Sequence, residues 1–258
     1  MPHGLVTATL NIGGYGFPRR AHIASEAFRH YAHIDVCSFQ EMIVEARSAF
    51  EQHGLKWIAV EPAANFSNPI AFNPETMNLL QNGTEPISHD GIVEQIGAPR
   101  NFAWAEFHHR ASGKIVVFVN AHLDNISPQA RERGADRIVE FLQGFANHLA
   151  IVSGDFNMNV ARETDEILLR PYQRMVDAGF VDAYLDAKPK RTIRERTFHS
   201  FQGPFTCGED PYDTYDPDFV FVRGEKVRVA NCMPDYFNAG GTWPSDHLWL
   251  VTDLELID

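Results

Sequence analysis

The sequence predicts a layered α/β sandwich, and three observations support this fold class. Short apolar runs alternate with segments of helical character early in the chain, and strand-like runs dominate later. No internal repeat, low-complexity linker or break in composition divides the sequence. Its 258 residues, of which 44% are hydrophobic, are enough to bury a sizeable core. We therefore expect one domain over residues 1–258.

The first half of the chain supplies strands separated by helices. Residues 5–12 alternate in polarity and include β-branched side chains, which predicts a strand that ends at Asn11. The apolar run 34–39 predicts a second strand, with Gln40 and Glu41 at its end. The other expected elements are helices over 19–31 and 44–53, short strands over 57–60 and 69–72, and a hairpin of strands 102–108 and 115–120.

The second half of the chain is predicted to begin with a long helix over 128–149, which carries apolar residues such as Ile138 and Leu142. A core strand over 150–152 follows and leads directly to Asp155. The remaining expected elements are a helix over 164–178, a segment 180–184, paired strands over 219–222 and 227–229, and a closing strand over 248–254.

Charge limits the partners that the chain can have. The formal net charge is −12. Tight sequence-independent binding of long nucleic acid depends on Lys and Arg neutralising phosphates, so this charge disfavours it. A small phosphorylated substrate stays possible, because a bound metal ion can supply positive charge locally. No protein partner can be inferred.

Cysteine usage and hydropathy exclude several other classes. The three cysteines are scattered without a C-x-x-C spacing, so neither a zinc site nor a disulfide framework is indicated. Cys37 lies in an apolar run and is expected to be a small buried side chain. No basic leader and no apolar run of about 20 residues is visible, so we expect no membrane span and take the cytoplasm as the default location.

Three short segments concentrate acids, amides and imidazoles next to predicted strands. They are Ser153-Gly154-Asp155-Phe156-Asn157, Asn120-Ala121-His122-Leu123-Asp124 and Ser245-Asp246-His247. Residues two apart in an extended chain share a face, so Asp155 and Asn157, and likewise His122 and Asp124, can address one ligand. Glu41 and Asn11 end two further strands. Such oxygen and imidazole groups suit a divalent cation and a phosphate ester.

Each segment taken alone also has a purely structural interpretation. Asp155 and Asn157 are favoured turn residues, and Asp246 is a possible cap. His122 can be satisfied by a backbone carbonyl, and Glu41 can be a solvated surface residue. The segments become specific only as a set and in their order along the chain.

As a set, the segments resemble those of the endonuclease/exonuclease/phosphatase superfamily, also called the pancreatic deoxyribonuclease-like fold. The resemblance covers about residues 5–255. Arg196-Thr197-Phe198-His199-Ser200-Phe201 and Gln129-Ala130-Arg131 resemble a poorly characterised bacterial subgroup. The matching segments are Thr9-Leu10-Asn11, Phe39-Gln40-Glu41, Asn120-Ala121-His122-Leu123-Asp124, Gly154-Asp155-Phe156-Asn157, Asp218-Phe219-Val220-Phe221 and Ser245-Asp246-His247.

The resemblance implies a four-layer α/β/β/α sandwich, in which two packed mixed β-sheets are flanked by helices and the site lies at one edge of the sheets. It implies that Glu41 is the chief ligand of Mg²⁺ or Mn²⁺, with Asn11 and Asp246 nearby. Asp155 would orient and deprotonate the attacking water. His247, oriented by Asp218, would bind a phosphoryl oxygen.

The same resemblance assigns the remaining candidate residues. His122 would stabilise the phosphoryl oxygens or assist the leaving group, and Asn157 would hold the phosphate and the water. Asn120, Arg131 and Trp243 are further candidates for substrate binding, although Arg131 can equally form a surface salt bridge.

Two departures from the family pattern affect these roles. Many members carry a second Glu just before the strand that corresponds to 69–72, whereas this chain has Asn65-Phe66-Ser67-Asn68 there. That Glu often supports the histidine that corresponds to His122, so the proton-transfer role of His122 is open. Asp216-Pro217-Asp218 stands where the family commonly has Arg-Ile-Asp, so an acidic side chain replaces a basic one at the rim of the site. Asp216 could there bind a second cation.

Other residues support only structural interpretations. Trp57, Trp104 and Trp249 are expected in the core, and the pair His108-His109 is expected to be solvated. Residues 188–196 contain five basic side chains in nine and are expected to form a solvated loop, or to steer an anionic substrate.

The sequence therefore predicts a phosphoesterase that depends on a divalent metal and acts by in-line attack of water on a small phosphorylated metabolite or a sugar or lipid head group. A Mg²⁺-dependent nuclease on DNA or RNA is the alternative. A binding module without catalytic activity is a third interpretation, which the presence of the whole candidate set disfavours.

Overall fold

Two mixed β-sheets of six strands each pack face to face in the centre of the molecule. The computed structural model describes residues 3–13, 20, 22–23, 26–27, 33–43, 56–58, 68–87, 100–160, 165–192, 194–201, 203 and 216–257. The strands are β1 (His3–Asn11), β2 (Val36–Gln40), β3 (Lys56–Ile58), β4 (Ile70–Phe72), β5 (Met77–Pro86), β6 (Asn101–His109), β7 (Ile115–His122), β8 (Leu149–Asp155), β9 (Val181–Asp182), β10 (Asp218–Arg223), β11 (Val227–Asp235) and β12 (Trp249–Leu256).

The order of the strands brings the ends of four of them to one edge. The first sheet runs β11-β12-β1-β2-β4-β3 and the second runs β5-β6-β7-β8-β10-β9. In each sheet the described strands contain one parallel pair, β1 with β2 and β7 with β8. These four strands end at the residues that the sequence marks as chemically active, so both sheets present polar groups at the same edge of the sandwich.

Apolar side chains fill the space between the sheets and cover both outer faces. Leu5 and Ile70 from the first sheet pack with Phe118 and Ile151 from the second. The outer face of the second sheet is covered by α1 (Pro128–Leu142) and α2 (Glu166–Asp177), which pack on it through residues such as Ile138 and Met175. The predicted α/β sandwich is thus confirmed.

The outer face of the first sheet is buried as well. Leu10, Phe39 and Trp249 are buried there in an apolar cluster that is separate from the core between the sheets. The helices predicted over 19–31 and 44–53 lie largely outside the described residues, as do the Trp57 side chain and residues 59–67. Cys37 is fully buried on this face, as expected, and burial raises the pKa of its thiol.

The helix predicted over 128–149 is too long. Ser127 caps α1, because its Oγ accepts the Ala130 N–H at 3.2 Å, and Pro128 occupies the first turn. The helix ends at Leu142 and is followed by a 3₁₀ turn over Gln143–Phe145 that contains a glycine, and β8 starts at Leu149. β8 is accordingly longer than the predicted strand 150–152.

Strand β5 was not predicted. It lies at the edge of the second sheet, and its side chains are largely exposed. Its pairing with β6 shifts register between Leu79 and Gln81. A polar edge strand with a bulge lacks the alternation on which sequence-based strand prediction depends. The sequence also treated 180–184 as one segment, whereas the structure divides it into β9 and the short helix α3 (Ala183–Asp186).

The parallel pair β7–β8 approaches most closely at Gly154. A methyl group on Gly154 would lie 1.9 Å from the Ala121 carbonyl oxygen, and the residue has φ of 143°. We expect Gly154→Ala to lower the free energy of unfolding by at least about 2 kcal/mol, because the strands must separate and a positive φ disfavours alanine. Urea unfolding measures this difference.

The control for this prediction is Gly4→Ala in the exposed part of β1. No atom lies within 4 Å of the added methyl group, so we expect a change within about 0.5 kcal/mol or a small gain. Equal unfolding free energies for the two variants would contradict the close approach at Gly154.

Candidate active site

Hydrogen bonds between polar side chains join the two sheets at their shared edge. The Ser38 and Ser153 hydroxyls lie 2.7 Å apart, and Gln40 Nε2 donates to Asn120 Oδ1 at 2.8 Å. Further toward the edge, Asn11 Nδ2 donates to Asp155 Oδ2 at 2.9 Å. Each bond links a strand of one sheet to a strand of the other, so the sheets are held in one relative position where the site lies.

Asp155 is at the centre of this edge. It ends β8 and pairs with His122 on β7 and with Asp218 on β10. Its Oδ2 lies 3.6 Å from His122 Nε2 and 4.0 Å from His247 Nε2. Burial raises the pKa of Asp155 to about 7, against the lowering effect of His247. The arrangement gives a buried carboxylate that is poised to accept a proton near neutral pH.

His247 is oriented by Asp218. His247 Nδ1 lies 2.9 Å from Asp218 Oδ2, which leaves Nε2 directed toward Asp155. The Thr197 hydroxyl donates to the same Asp218 oxygen at 2.6 Å. Burial lowers the pKa of His247, but the Asp218 carboxylate and its hydrogen bond outweigh burial and raise the pKa to about 10. His247 is therefore a cation at neutral pH.

His122 has the opposite protonation state. It ends β7 and is almost fully buried. Burial lowers its pKa well below the usual value, and the positive charges of Arg100 and His247 lower it further. A neutral imidazole and an imidazolium thus lie on the two sides of Asp155. The sequence did not indicate Arg100 as part of this environment.

Glu41, Asn11 and Asp246 form the oxygen-rich side of the cleft. Asn11 Nδ2 lies 3.3 Å from Glu41 Oε1, in addition to its bond with Asp155. Ser245 Oγ donates to the Asn11 carbonyl oxygen at 2.6 Å and so ties the loop that carries Asp246 to the end of β1. A methyl group on Gly13 would lie 2.3 Å from Asp246 Oδ1, so only glycine allows this approach.

This donor set fits a divalent cation. Carboxylate and amide oxygens from Glu41, Asp246 and Asn11 are the ligands that Mg²⁺ and Mn²⁺ prefer. Glu41 has φ of 55°, a conformation that costs free energy in a residue other than glycine and that commonly occurs at functional sites. That Glu41, Asp246 and Asn11 hold a cation stays a prediction.

Asp155, Asp218 and His247 form a group with metal-binding spacing. Their ligand atoms all lie within 4.8 Å of one another. However, Asp218 is fully buried, and its Oδ2 already accepts hydrogen bonds from Thr197 and His247. Its Oδ1 has no hydrogen-bond partner among the described residues, so this group stays a candidate for holding a cation.

Solved structures of the same architecture cover nearly the whole chain. An endonuclease/exonuclease/phosphatase from Bacteroides vulgatus is 24% identical and superposes with a TM-score of 0.79, covering 98% of this chain and 99% of that chain. The mannosyl-6-phosphatase of Bacteroides thetaiotaomicron is 20% identical, with a TM-score of 0.76 and coverage of 97% and 99%. No protein-family model and no curated protein matches the chain.

The chain has the endonuclease/exonuclease/phosphatase fold. Another structure with this fold, D. rerio TDP2 complexed with single strand DNA product, is 16% identical, with a TM-score of 0.76 and coverage of 97% of this chain and 98% of that chain. At these identities the likeness concerns the fold, and the chemistry must be argued from the side chains of this chain.

Within this endonuclease/exonuclease/phosphatase fold, Asn120 does not reach the cleft, contrary to the expectation that it binds substrate. It is fully buried between the sheets. Its Nδ2 donates to the carbonyl oxygens of Phe39 and Pro69 at 2.8 and 2.9 Å, and its Oδ1 accepts from Gln40. Asn120 instead holds β2, β7 and the residue before β4 together.

Asn157 and Asp124 do not continue their strands. Asn157 has φ of 50°, and its backbone N–H donates to Asp155 Oδ1 at 2.9 Å. Its Nδ2 donates to the Leu123 carbonyl oxygen at 3.1 Å. Asp124 Oδ1 accepts the backbone N–H groups of Ile126 and Ser127 at the start of α1. Asn157 therefore orients Asp155 directly, whereas Asp124 caps a turn.

Arg131 and Trp243 support loops beside the cleft. Arg131 is largely buried, and its Nη1 donates to the Asp124 carbonyl oxygen at 3.0 Å, which ties α1 to the loop after β7. The Trp243 ring lies 4.9 Å from the His199 ring and would contact any side chain at Gly203. Substrate binding by either residue stays a prediction.

Three surface predictions differ from the structure. Asp216 is fully buried and paired with Arg194, so it does not lie at the rim of the site as a ligand for a second cation. Arg194, expected in a solvated basic loop, is 5% exposed. His109 is also buried, with its Nδ1 2.8 Å from Ser112 Oγ. In each case a polar partner distant in sequence or hidden in a turn satisfies the buried group.

Sequence reasoning also missed two residues that contact the site machinery. Thr197 lies in the segment 196–201, but its bond to Asp218 gave no local signal because 21 positions separate the two residues. Phe198 pairs with His247 in an isolated bridge, and their rings lie 5.0 Å apart. Only the tertiary fold brings this segment against His247.

The role of Asn120 can be tested directly. We expect Asn120→Ala to lower the free energy of unfolding by about 2–3 kcal/mol, because Gln40 and two backbone carbonyls lose their buried partner. The matched control is Asn231→Ala on β11, where a half-buried amide makes one bond of 3.4 Å to Asp253; there we expect a change of about 0.5 kcal/mol. If Asn120 instead bound the substrate, Asn120→Ala would raise KM and leave the unfolding free energy unchanged.

Proposed function

We propose that this protein is a divalent-cation-dependent phosphoesterase in which Asp155 activates the attacking water. The observation that carries the proposal is the position of Asp155. Its Oδ2 lies within 4.0 Å of the imidazoles of His122 and His247 and 2.9 Å from Asn11, at the edge where Glu41 and Asp246 also lie. A base, two proton-bearing groups and hard oxygen donors at one edge are what in-line hydrolysis at phosphorus requires.

Asp155 is assigned as the general base. The Asn157 N–H and Asn11 Nδ2 fix its two oxygens, so the carboxylate cannot rotate freely. Burial, which raises the pKa of Asp155 to about 7, makes it a stronger base than a solvated carboxylate. A water held against this carboxylate would lose its proton as it attacks phosphorus.

The two histidines are assigned to the phosphoryl group. His247, protonated and oriented through Asp218, donates a hydrogen bond from Nε2 to a phosphoryl oxygen. His122, held neutral by burial, hydrogen-bonds another phosphoryl oxygen or the leaving oxygen. Donors fixed in a buried site stabilise the charge of the transition state without having to reorganise.

Glu41, Asn11 and Asp246 are assigned as the residues that hold the cation. Bound there, Mg²⁺ or Mn²⁺ would supply positive charge to the phosphoryl oxygens. Asn11 connects this set to the base, because its Nδ2 contacts both Glu41 and Asp155. The position of Glu41 at a strand end keeps its carboxylate at the same edge as Asp155.

The substrate is proposed to be a small phosphorylated metabolite or a sugar or lipid head group. The net charge of −12 disfavours long nucleic acid, and a mannosyl-6-phosphatase shares the fold. A nuclease is the second candidate, because a protein that was solved with single strand DNA product has the same fold. A non-catalytic binding module would leave the pKa differences around Asp155 without a purpose.

A substrate panel tests the proposal. The purified chain is assayed with Mg²⁺ or Mn²⁺ on p-nitrophenyl phosphate, bis-p-nitrophenyl phosphate, hexose 6-phosphates and single- and double-stranded oligonucleotides. We expect turnover of a small ester that EDTA abolishes and added Mg²⁺ restores. Turnover of oligonucleotides alone would favour the nuclease, and no turnover with any cation would reject the phosphoesterase proposal.

Asp155→Asn tests the base. The amide keeps the size of the side chain but cannot accept the proton, so we expect kcat to fall by about 10²–10⁴-fold. The matched control is Asp186→Asn, which removes a carboxylate paired with Lys190 near the surface and should leave kcat within about twofold. A near-wild-type rate for Asp155→Asn would mean that another group takes the proton.

Glu41→Gln tests the cation site. We expect the Mg²⁺ concentration for half-maximal activity to rise at least about tenfold, because a carboxylate ligand becomes a neutral amide. Glu75→Gln, in an exposed turn, should leave the Mg²⁺ titration unchanged. If Asp218→Asn shifted the titration and Glu41→Gln did not, the cation would belong to the buried Asp155, Asp218 and His247 group.

A further inference from the structure

We infer that Arg194 is a positioning residue, which fixes Asp218 and through it the orientation of His247. The inference concerns the Asp218–His247 pair, and its kinetic consequence rests on the proposed phosphoesterase function. Arg194 lies on none of the strands that end at the cleft, and it touches neither the base nor the cation-binding set in its described contacts.

The guanidinium of Arg194 binds three residues in two parts of the chain from a buried position. Its Nη1 donates to both oxygens of Asp182 on β9, at 2.7 Å each. Its Nε donates to Asp216, just before β10, and its Nη2 donates to the backbone carbonyl oxygen of Asp218 at 2.6 Å. The side chain is 2% exposed, so water competes little with these bonds.

The segment 216–218 is therefore held at both of its ends. Arg194 binds the Asp216 side chain and the Asp218 carbonyl, while the Phe156 N–H donates to the Pro217 carbonyl oxygen at 2.8 Å. Phe156 directly follows Asp155. The carboxylate of Asp218 thus takes its position relative to β8 from bonds that converge on three consecutive residues.

Aromatic rings fix the plane of the guanidinium. Arg194 Cζ lies 4.0 Å from the centroid of the Phe219 ring and 5.1 Å from that of Tyr184. A lysine cannot reproduce a planar fork that binds two carboxylates and a carbonyl while it stacks on a ring. The geometry calls for arginine at this position, and a positive charge alone is not enough.

The position of Asp218 decides which nitrogen of His247 faces the cleft. Its Oδ2 accepts from His247 Nδ1 at 2.9 Å, and this bond directs Nε2 toward Asp155. A small displacement of the 216–218 segment would lengthen the bond and let the ring turn. Since misplacement of a catalytic group by about 1 Å can reduce rates about 10²-fold, the effect on turnover should be large.

The test compares Arg194→Lys with a matched control, Arg191→Lys. Arg191 lies three positions earlier, and its Cζ lies 4.6 Å from the centroid of the same Tyr184 ring. Its hydrogen bonds go to the carbonyl oxygens of Tyr184 and Cys232 instead of the 216–218 segment. We expect Arg194→Lys to lower kcat by about 10–100-fold with KM changed less than about threefold, and Arg191→Lys to change neither.

A double-mutant cycle with Asp218→Asn separates positioning from general loss of structure. If Arg194 acts through Asp218, Arg194→Lys should have little further effect on kcat once Asp218 is changed. If the factors by which the two single substitutions lower kcat multiplied in the double variant, Arg194 would act independently of Asp218. This outcome would overturn the inference.

A second readout does not depend on activity. The His247 Nδ1 proton, bonded to a buried carboxylate, should give a downfield imidazole signal in the proton NMR spectrum of the metal-free chain. We expect this signal in the wild type and in Arg191→Lys, and its loss or a clear upfield shift in Arg194→Lys. An unchanged signal together with unchanged kcat in Arg194→Lys would overturn the inference.

The two readouts distinguish the two proposals. An inactive wild type whose NMR signal depends on Arg194 would reject the phosphoesterase function and retain the positioning role. If Arg194→Lys does not fold, Asp216→Asn takes its place, because it keeps Arg194 and its bonds to Asp182 and Asp218. We expect Asp216→Asn to lower kcat and to weaken or shift the NMR signal, as expected for Arg194→Lys but by a smaller factor. If neither kcat nor the signal changed, the positioning role would be rejected.

Discussion

The hydrogen bonds that cross between the two sheets at one edge are the constraint on which the site depends. Elsewhere the sheets meet through apolar side chains, whose packing permits small shifts in relative position. At the edge, the pairs Ser38–Ser153, Gln40–Asn120 and Asn11–Asp155 are buried, and each must keep its partner. A satisfied buried polar network fixes one arrangement of the strands. Asp155 comes from one sheet, and Asn11 and Glu41 come from the end of the other, so only this arrangement brings the proposed base and the proposed cation ligands together.

The electrostatics of the cleft follow from the same architecture. His122 and His247 lie on opposite sides of one carboxylate, and their environments separate their pKa values. Burial governs His122 and keeps it neutral, whereas the Asp218 carboxylate overcomes burial at His247 and keeps it charged. Two chemically identical side chains thus differ in protonation state, which is a common way for a site to provide both an acid and a base.

Local sequence patterns located the candidate site residues where polar groups follow apolar strands. They were less informative about buried polar side chains whose hydrogen-bond partners lie far away in the sequence. The sandwich could be predicted from local patterns, and so could the location of Asn11, Glu41, His122 and Asp155 within a few residues of a predicted strand end. The buried pairing of Arg194 could not, because its carboxylate partners lie 12 and 22 positions away and a basic run normally indicates solvent. Strand β5 was missed because an exposed edge lacks alternation, and the extent of the single domain over residues 1–258 stays a prediction.

Of the five residues other than glycine with positive φ in the described chain, four lie in segments at or next to the candidate site, and the fifth, Lys226, lies in the turn between β10 and β11. Glu41 and Asn157 both have positive φ, and so do the adjacent Ser200 and Phe201, in the segment that contacts His247 through Phe198. Glycine would relax the backbone at Glu41 and Asn157 but would remove a carboxylate and an amide from the candidate site. Variants selected only for heat resistance should therefore accumulate glycine at Glu41 and Asn157 and lose turnover as they do so, whereas selection for activity should preserve the positive-φ conformation of these two residues.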